Sequence, residues 1–96
     1  MSPVESKAMT IAKKVALFLK QEYGATRVML FGSLAKGFFE KDSDIDIYFE
    51  GVPKDKVLTA TGHCIEVFGK YDIDLIPDAF CRDQLHARIL KEGILL

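Results

Sequence analysis

A glycine-serine pair and two aspartates at a fixed spacing constrain this chain more than any other part of its sequence. Gly32-Ser33 is followed by ten residues and then by Asp44-Ile45-Asp46. The apolar run Val28 to Phe31 before the glycine predicts a strand that ends in a sharp turn. Apolar and acidic residues alternate from Asp44 to Tyr48, which predicts a second strand. The pattern therefore places a small turn at the end of one strand and two carboxylates at the start of the next.

These residue types suit a metal ion and a phosphate group. Residues i and i+2 of a strand point to the same face, so Asp44 and Asp46 project together, and they repel each other unless a cation lies between them. Hard divalent ions prefer such oxygen ligands. The turn at Gly32-Ser33 offers backbone N–H groups and a hydroxyl to phosphate oxygens. A second acidic alternation about thirty residues later contains Asp72 and Asp74, either of which can supply a third carboxylate from an adjacent strand.

Composition limits the class of protein. The 96 residues predict one domain over 1–96, and 13 Lys and Arg against 14 Asp and Glu give a net charge of −1. This balance argues against a protein that grips a nucleic acid backbone. No apolar run is long enough for a membrane span, and the N-terminus lacks the apolar stretch of a secretory signal. Cys64 and Cys81 are interpreted as reduced, partly buried thiols, which together with the missing signal predicts a cytoplasmic protein.

Periodicity and breaker residues predict the order of elements. Ser2, Pro3 and Glu5 have the form of a capping box at the start of the first helix, and glycines follow the predicted helices. The predicted fold class is α/β (α+β), a small mixed sheet with helices packed against it, in the order αβ(α)βαβα. The predicted elements are a helix over 3–22, a strand over 26–31, a short helix over 32–36, a strand over 44–50, a helix from the break at 51–53 to 68, a strand over 71–76 and a helix over 79–92.

The segment Leu30 to Ser33, the run Ser43 to Ile47 and the later Asp74 resemble one protein family. The segment is similar to the nucleotidyltransferase superfamily typified by DNA polymerase β, and its spacing matches the minimal, MntA-like branch. The diagnostic part is Phe31 to Ile47. Relatives have a Gly-Ser-x-Ala-Arg-Gly pattern, whereas this chain has Lys36 in place of the arginine, and lysine offers phosphate a point charge rather than a bidentate fork.

The resemblance implies a reaction and a set of site residues. The reaction is transfer of a nucleoside monophosphate, with ATP as the donor expected here, to a hydroxyl acceptor, assisted by two Mg²⁺ ions. Asp44, Asp46 and Asp74 are the implied catalytic and metal-binding residues. Gly32, Ser33 and Lys36 are the implied contacts to the triphosphate. Asp74 is preferred to Asp72 because it lies between Ile73 and Leu75, and relatives place the third acid within an apolar strand.

The resemblance also implies a partner. Minimal family members are commonly encoded beside a HEPN-domain protein, so the leading hypothesis is an antitoxin that transfers AMP to a tyrosine of a HEPN-type toxin. The alternative is a non-catalytic module that binds a nucleotide or neutralises such a partner by contact alone. A third hypothesis is an enzyme acting on a small hydroxyl compound or a tRNA end. In each catalytic case the acceptor site is shallow, or a homodimer or a second protein completes it.

The sequence leaves the roles of several residues outside this motif open, or gives them only a structural role. Phe38-Phe39 either folds back on the core or forms an exposed patch for a partner or a base. His63 and His86 are interpreted as ordinary surface or half-buried histidines. The terminal run Ile94-Leu95-Leu96 is expected to dock, either on the protein's own core or on a neighbour.

Overall fold

The computed structural model describes residues 2–96. Four helices, four strands and two short 3-10 turns follow one another along this part of the chain. They are helix α1 (Pro3–Tyr23), strand β1 (Arg27–Phe31), helix α2 (Gly32–Lys36), strand β2 (Ile45–Glu50), a 3-10 turn (Lys54–Lys56), helix α3 (Val57–Phe68), strand β3 (Ile73–Pro77), a 3-10 turn (Asp78–Phe80), helix α4 (Asp83–Glu92) and strand β4 (Ile94–Leu95).

The strands form one mixed sheet, in the order β3-β2-β1-β4. Strand β1 is antiparallel to β2 and to β4, whereas β2 and β3 are parallel. Parallel neighbours need a long crossover, which α3 supplies between β2 and β3. The predicted mixed sheet with packed helices is therefore confirmed, and β3 and β4 are its two edges.

Successive side chains along each strand point to opposite faces of the sheet, and the two faces carry different clusters. One face packs against α1 and α3, and its core includes Ile45, Ile47 and Phe49 of β2, each no more than 1% exposed. The other face carries a smaller cluster, in which Met29 and Tyr48 pack against Ile89 of α4. The fold thus has three layers, which are α1 with α3, the sheet, and α4. The burial of apolar surface on both faces of the sheet stabilises this arrangement.

The helix boundaries follow local capping chemistry. Ser2 caps α1, since its Oγ accepts a hydrogen bond from the Glu5 backbone N–H at 3.1 Å. Each of the four helices ends directly before a glycine, as predicted. Among residues 2–96, no helix is long and apolar enough to cross a membrane.

The predicted elements differ from the structure in four places, one of which is α3: it begins at Val57 rather than at the break at 51–53, because a 3-10 turn comes first. The order αβ(α)βαβα has no fourth strand, but residues 94–95 form β4, and the Leu96 backbone N–H donates to Val28 O at 2.9 Å. The free edge of β1 supplies these hydrogen bonds, and a two-residue strand has no periodicity by which to recognise it. The predicted helix over 79–92 begins only at Asp83, because a 3-10 turn comes first. The third strand runs over 73–77 rather than 71–76.

Candidate active site

Gly32 joins strand β1 to the short helix α2 and lies against Asp46. Its backbone has φ 75°, in the left-handed region. A Cβ at this position would overlap Asp46 Oδ2 and would lie 2.9 Å from Asp46 Cγ. The register explains the contact, since Phe31, the residue before the glycine, pairs with Asp46 across the antiparallel strands. Only a residue without a side chain allows the turn to approach this carboxylate so closely.

The start of α2 keeps its donors available. Phe31 precedes the helix and forms no side-chain cap hydrogen bond. The first N–H groups of a helix have no partner within the helix, so those of α2 can bind an anion. Ser33 is the second residue of the helix and is partly exposed, so its hydroxyl lies beside these groups. The turn can therefore offer phosphate oxygens both N–H and O–H donors.

The parallel pairing of β2 and β3 brings two of the predicted acids together. Asp46 and Asp74 are direct register partners, and partners in a parallel pair project from the same face of the sheet. Asp44 lies directly before β2, two residues from Asp46, and it lines the same depression as Asp74. The three predicted acids thus meet at the end of the sheet that carries Gly32.

Burial and like charges perturb the central acid. The pKa of Asp46 rises from 3.8 to about 6, first because burial disfavours its charged form and then because Asp74 and Asp44 repel it. Strongly perturbed carboxylates of this kind are concentrated at functional sites. The repulsion also means that a cation at this point would relieve an existing electrostatic cost.

The competing acid, Asp72, lies closer to the start of the strand. It is exposed, and its backbone oxygen accepts a hydrogen bond from Ile45 N at 2.8 Å. The carboxylates that raise the pKa of Asp46 are those of Asp74 and Asp44. Asp74 therefore has the closer electrostatic relation to Asp46.

A depression of about 540 Å³ opens beside these acids at the edge of the sheet. The depression is lined by Asp44, Asp72 and Asp74. Ile65 and Gly69, at the end of α3, also line it. A molecule that approaches Asp74 from solvent at this edge of the sheet therefore enters the depression.

The acids fit Mg²⁺ that is shared with a nucleotide. Within residues 2–96, no group of three His, Cys, Asp or Glu side chains is arranged to hold a metal ion by itself. Mg²⁺ usually takes one or two protein carboxylates, with the remaining ligands coming from waters and substrate phosphates. Asp44 and Asp46 can supply two carboxylates, and a nucleotide bound at the neighbouring turn can supply phosphate oxygens as the other ligands.

Lys36 lies at the last position of α2. Its Nζ is 3.1 Å from Glu92 Oε2, in an exposed ion pair between α2 and α4. A small cavity of about 170 Å³ connects Lys36 with Gly32 and Arg88. Arg88 was missed by sequence reasoning. The signal was its helical spacing, because Arg88 follows Leu85 by three residues and both line this cavity.

A second polar cluster lies on the same face of the sheet, on the strands that carry Met29 and Tyr48. Glu50 Oε2 accepts hydrogen bonds from Arg27 Nη2 and from the Tyr48 hydroxyl, both at 2.6 Å. The His86 ring lies 5.6 Å from the Tyr48 ring, and its Nε2 is 3.9 Å from Glu50 Oε2. The other histidine, His63, shares a hydrogen bond of 2.8 Å between its Nδ1 and the Tyr23 hydroxyl. Both histidines thus have structural partners.

The two interpretations of Phe38-Phe39 each apply to one residue. Phe38 is 73% exposed, whereas Phe39 packs against the main core. The terminal run docks on the chain itself, since β4 pairs with β1 and Leu96 packs against the core.

A mixed sheet that places carboxylates of two neighbouring strands in register, beside a glycine-led turn with free donors, defines a domain built for nucleotide chemistry. The profile of the nucleotidyltransferase domain family matches residues 12–96. The chain belongs to this family and is a nucleotidyltransferase.

Solved structures share the fold. A candidate minimal nucleotidyltransferase is 25% identical, with a TM-score of 0.76, over 96% of this chain and 95% of that one. A toxin-antitoxin structure with AMP-PNP is 19% identical (TM-score 0.70), over 88% of this chain and 70% of that one. The toxin-antitoxin MntA-HpeT is 20% identical (TM-score 0.68), over 88% of this chain and 69% of that one. Comparison with curated proteins gives no match.

Proposed function

We propose that this chain transfers AMP from ATP to a hydroxyl of a partner protein, most specifically a tyrosine of a HEPN-type toxin, in a Mg²⁺-dependent reaction. The observation that carries the proposal is the register pairing of Asp46 with Asp74, with Asp44 beside them and Gly32 against Asp46. Two carboxylate strands and a phosphate-binding turn meet at one end of the sheet, as transfer of a charged phosphoryl group requires.

Each residue has a role in this reaction. Asp44 and Asp46 would hold the metal ions, and Asp74 would complete the metal site near the acceptor. Gly32, Ser33 and Lys36 would bind the triphosphate. The oxygen of the acceptor hydroxyl bonds to the α-phosphorus of ATP, and Asp74 takes the proton of that hydroxyl. The bond from the α-phosphorus to the pyrophosphate oxygen breaks, and pyrophosphate leaves. Bound Mg²⁺ ions supply neutralisation of the phosphate charge and Lewis-acid polarisation of the reacting oxygens.

The proposal of a toxin as acceptor rests on the kind of neighbours that share the fold. Two of these solved structures are toxin-antitoxin structures, and one of them contains AMP-PNP, an analogue of the proposed donor. A toxin that acts in the cytoplasm would place this chain there as well. Both cysteines are free thiols, as a reducing compartment favours.

The test combines the purified chain with Mg²⁺, α-labelled ATP and the protein encoded by the adjacent gene, which the proposal expects to be a HEPN-type toxin. We expect the partner to gain one or more AMP units by intact mass, with the modified residue located by peptide mass spectrometry. Asp44→Asn and Asp46→Asn should each abolish the gain, and so should EDTA. The proposal fails if the wild-type chain moves no label from ATP or the other three NTPs to a partner that it binds.

A second candidate function is neutralisation of the partner by contact alone. It is favoured by the side chain of Phe38, which is 73% exposed and can serve as a contact for a partner. The double variant Asp44→Asn with Asp46→Asn separates the two functions, since it preserves side-chain size and removes both charges. Full protection of cells from the toxin by this double variant would support the contact function, whereas loss of protection would support transfer.

A further inference from the structure

The outer side of α3 carries an apolar strip that no other part of residues 2–96 covers. We call Leu58, Gly62, Ile65 and Gly69 the α3 strip, because their helical spacing places them along one side of the helix. Leu58 is 79% exposed and Ile65 is 51% exposed. Between Val57 and Phe68, the only carboxylate is that of Glu66, and the helix contains no lysine or arginine. A solvent-facing helix side normally carries charge, so this one has the composition of an interface.

Gly62 is a second, independent feature of the strip. A glycine in the middle of a helix costs about 1 kcal/mol relative to alanine. Nothing inside the described chain requires it, since a Cβ at Gly62 would meet no atom within 4 Å and its backbone is not left-handed. A glycine at such a position allows another molecule to approach the helix backbone closely.

The strip runs directly into the candidate active site. Ile65 and Gly69, at its end, wall the depression that also contains Asp44 and Asp74. From Leu58 to Gly69 the helix rises about 16 Å. A molecule that brings a hydroxyl to Asp74 from this side therefore meets the end of the strip, and a long molecule can cover all of it.

We infer that the α3 strip docks an apolar helix of the acceptor protein and so delivers the acceptor hydroxyl to Asp74. This inference rests on the proposed function, because it concerns the acceptor of that same site. A small acceptor molecule would leave most of a 16 Å strip uncovered. A second copy that covered the strip would also cover Ile65 and Gly69, which line the depression, and would obstruct the side from which an acceptor hydroxyl reaches Asp74.

The test compares two changes in the strip with one outside it. Leu58→Gln and Gly62→Gln alter the strip without touching the acids. Leu17→Gln is the matched control, since Leu17 is also an exposed leucine, 54% accessible, on α1. Affinity for the protein encoded by the adjacent gene is measured by titration calorimetry without nucleotide, and ATP affinity is measured with a fluorescent ATP analogue. Circular dichroism checks that each variant is folded.

We expect each strip variant to bind the partner at least about tenfold more weakly, a loss typical of a residue at the centre of an interface. Leu17→Gln should change this affinity less than about twofold, and ATP affinity should stay the same in all three variants. Equal partner affinity in the strip variants and the control would overturn the inference. So would an effect explained by dissociation of a homodimer, or a wild-type chain that does not bind the partner.

The binding measurement separates this inference from the proposed function. If the wild-type chain binds the partner through the strip but transfers no AMP with Mg²⁺ and ATP, the docking inference stands and the proposed reaction fails. If AMP is transferred equally well by the strip variants and the control, the reaction stands and the docking inference fails.

Discussion

Gly32 and Asp46 form one structural unit, although fourteen positions separate them in the sequence. The carboxylate of Asp46 occupies the space that a side chain at position 32 would need. The glycine thus permits a tight turn and also keeps the first N–H groups of α2 next to the central acid. Neither residue can be changed without altering the surroundings of the other.

We predict that Gly32→Ala destabilises the fold by at least about 2 kcal/mol, because it combines a left-handed backbone with an overlap. Gly37→Ala is the matched control, since Gly37 has φ 82° but open space around the new Cβ. It should cost only about 1 kcal/mol. Urea denaturation measures both. Equal costs would show that Asp46 yields easily to a methyl group, contrary to the close approach described above.

We predict that Asp46→Asn stabilises the metal-free protein above pH 6. Its pKa of about 6, against an ordinary 3.8, means that the folded state holds this proton more tightly than the unfolded state. Stability therefore falls as the pH rises through this range, and the cost is complete above pH 6. The full rise corresponds to about 3 kcal/mol, which solvent screening of this partly exposed group reduces to about 1 kcal/mol.

Thermal unfolding in EDTA between pH 3 and pH 8 measures the effect. The advantage of Asp46→Asn should be present at pH 8 and should disappear by about pH 3, below the ordinary pKa of 3.8, where this carboxyl is protonated in both states of the wild type. If the variant were no more stable than the wild type at pH 8, burial and the repulsion by Asp74 and Asp44 would not destabilise the charged form of Asp46.

At the scale of elements, strand β2 serves two purposes through its alternation. Ile45, Ile47 and Phe49 point into the main core, whereas Asp46 and Glu50 belong to the opposite face. Asp46 faces the candidate active site at one end of the strand. Glu50, at the other end, joins β1 and β2 through its contacts with Arg27 and Tyr48. One strand thus anchors the sheet and presents the site.

We predict that Glu50→Gln lowers the midpoint of thermal unfolding at pH 7 by several degrees. The hydrogen bond from Arg27 is the main reason that the pKa of Glu50 lies below its ordinary value of 4.5, with a further hydrogen bond from Tyr48. An acid with a lowered pKa contributes stability above its ordinary value, and this contribution is lost as the pH falls below it. The difference between wild type and variant should therefore shrink from pH 7 towards pH 3. A constant difference would mean that shape, rather than charge, decides the effect.

At the scale of the whole molecule, the two thiols report on different parts of the fold. Cys64 is 0% exposed in the core between α3 and the sheet, and burial raises its pKa to about 11. Cys81 is partly exposed, and its pKa is raised by burial and by the nearby Asp78 and Asp83. Reactivity requires the exposed thiolate, so the two thiols should react at very different rates.

We predict that an aromatic disulfide reagent at pH 8 labels Cys81 in the native protein, whereas Cys64 reacts only at the rate of unfolding. Absorbance at the product wavelength follows the reaction, and denaturant gives the total thiol content. In Cys81→Ser the fast phase should be absent. Fast labelling that persists in this variant would show that α3 opens locally without unfolding of the whole protein.

Much of the site could be predicted from the sequence because its signals are local. Gly32-Ser33 and Asp44-Ile45-Asp46 occur at strand ends, where hydrophobic periodicity stops and turn residues begin, and the elements that carry them lie close to the predicted positions. The helix ends at glycines were predictable for the same reason. The choice of Asp74 over Asp72 remains a prediction, but the pairing that gives it weight depends on register between strands far apart in the sequence.

Local patterns in the sequence account for the helices, the first three strands and the candidate acids, since side-chain periodicity and turn chemistry act within a few residues. The tertiary structure alone shows that Asp46 faces Asp74, that Phe38 is exposed while Phe39 is packed, and that residues 94–95 become a strand. It also placed the α3 strip beside the acids. These outcomes depend on which distant segments pack together, and packing is settled by burial summed over the whole core rather than by any local pattern.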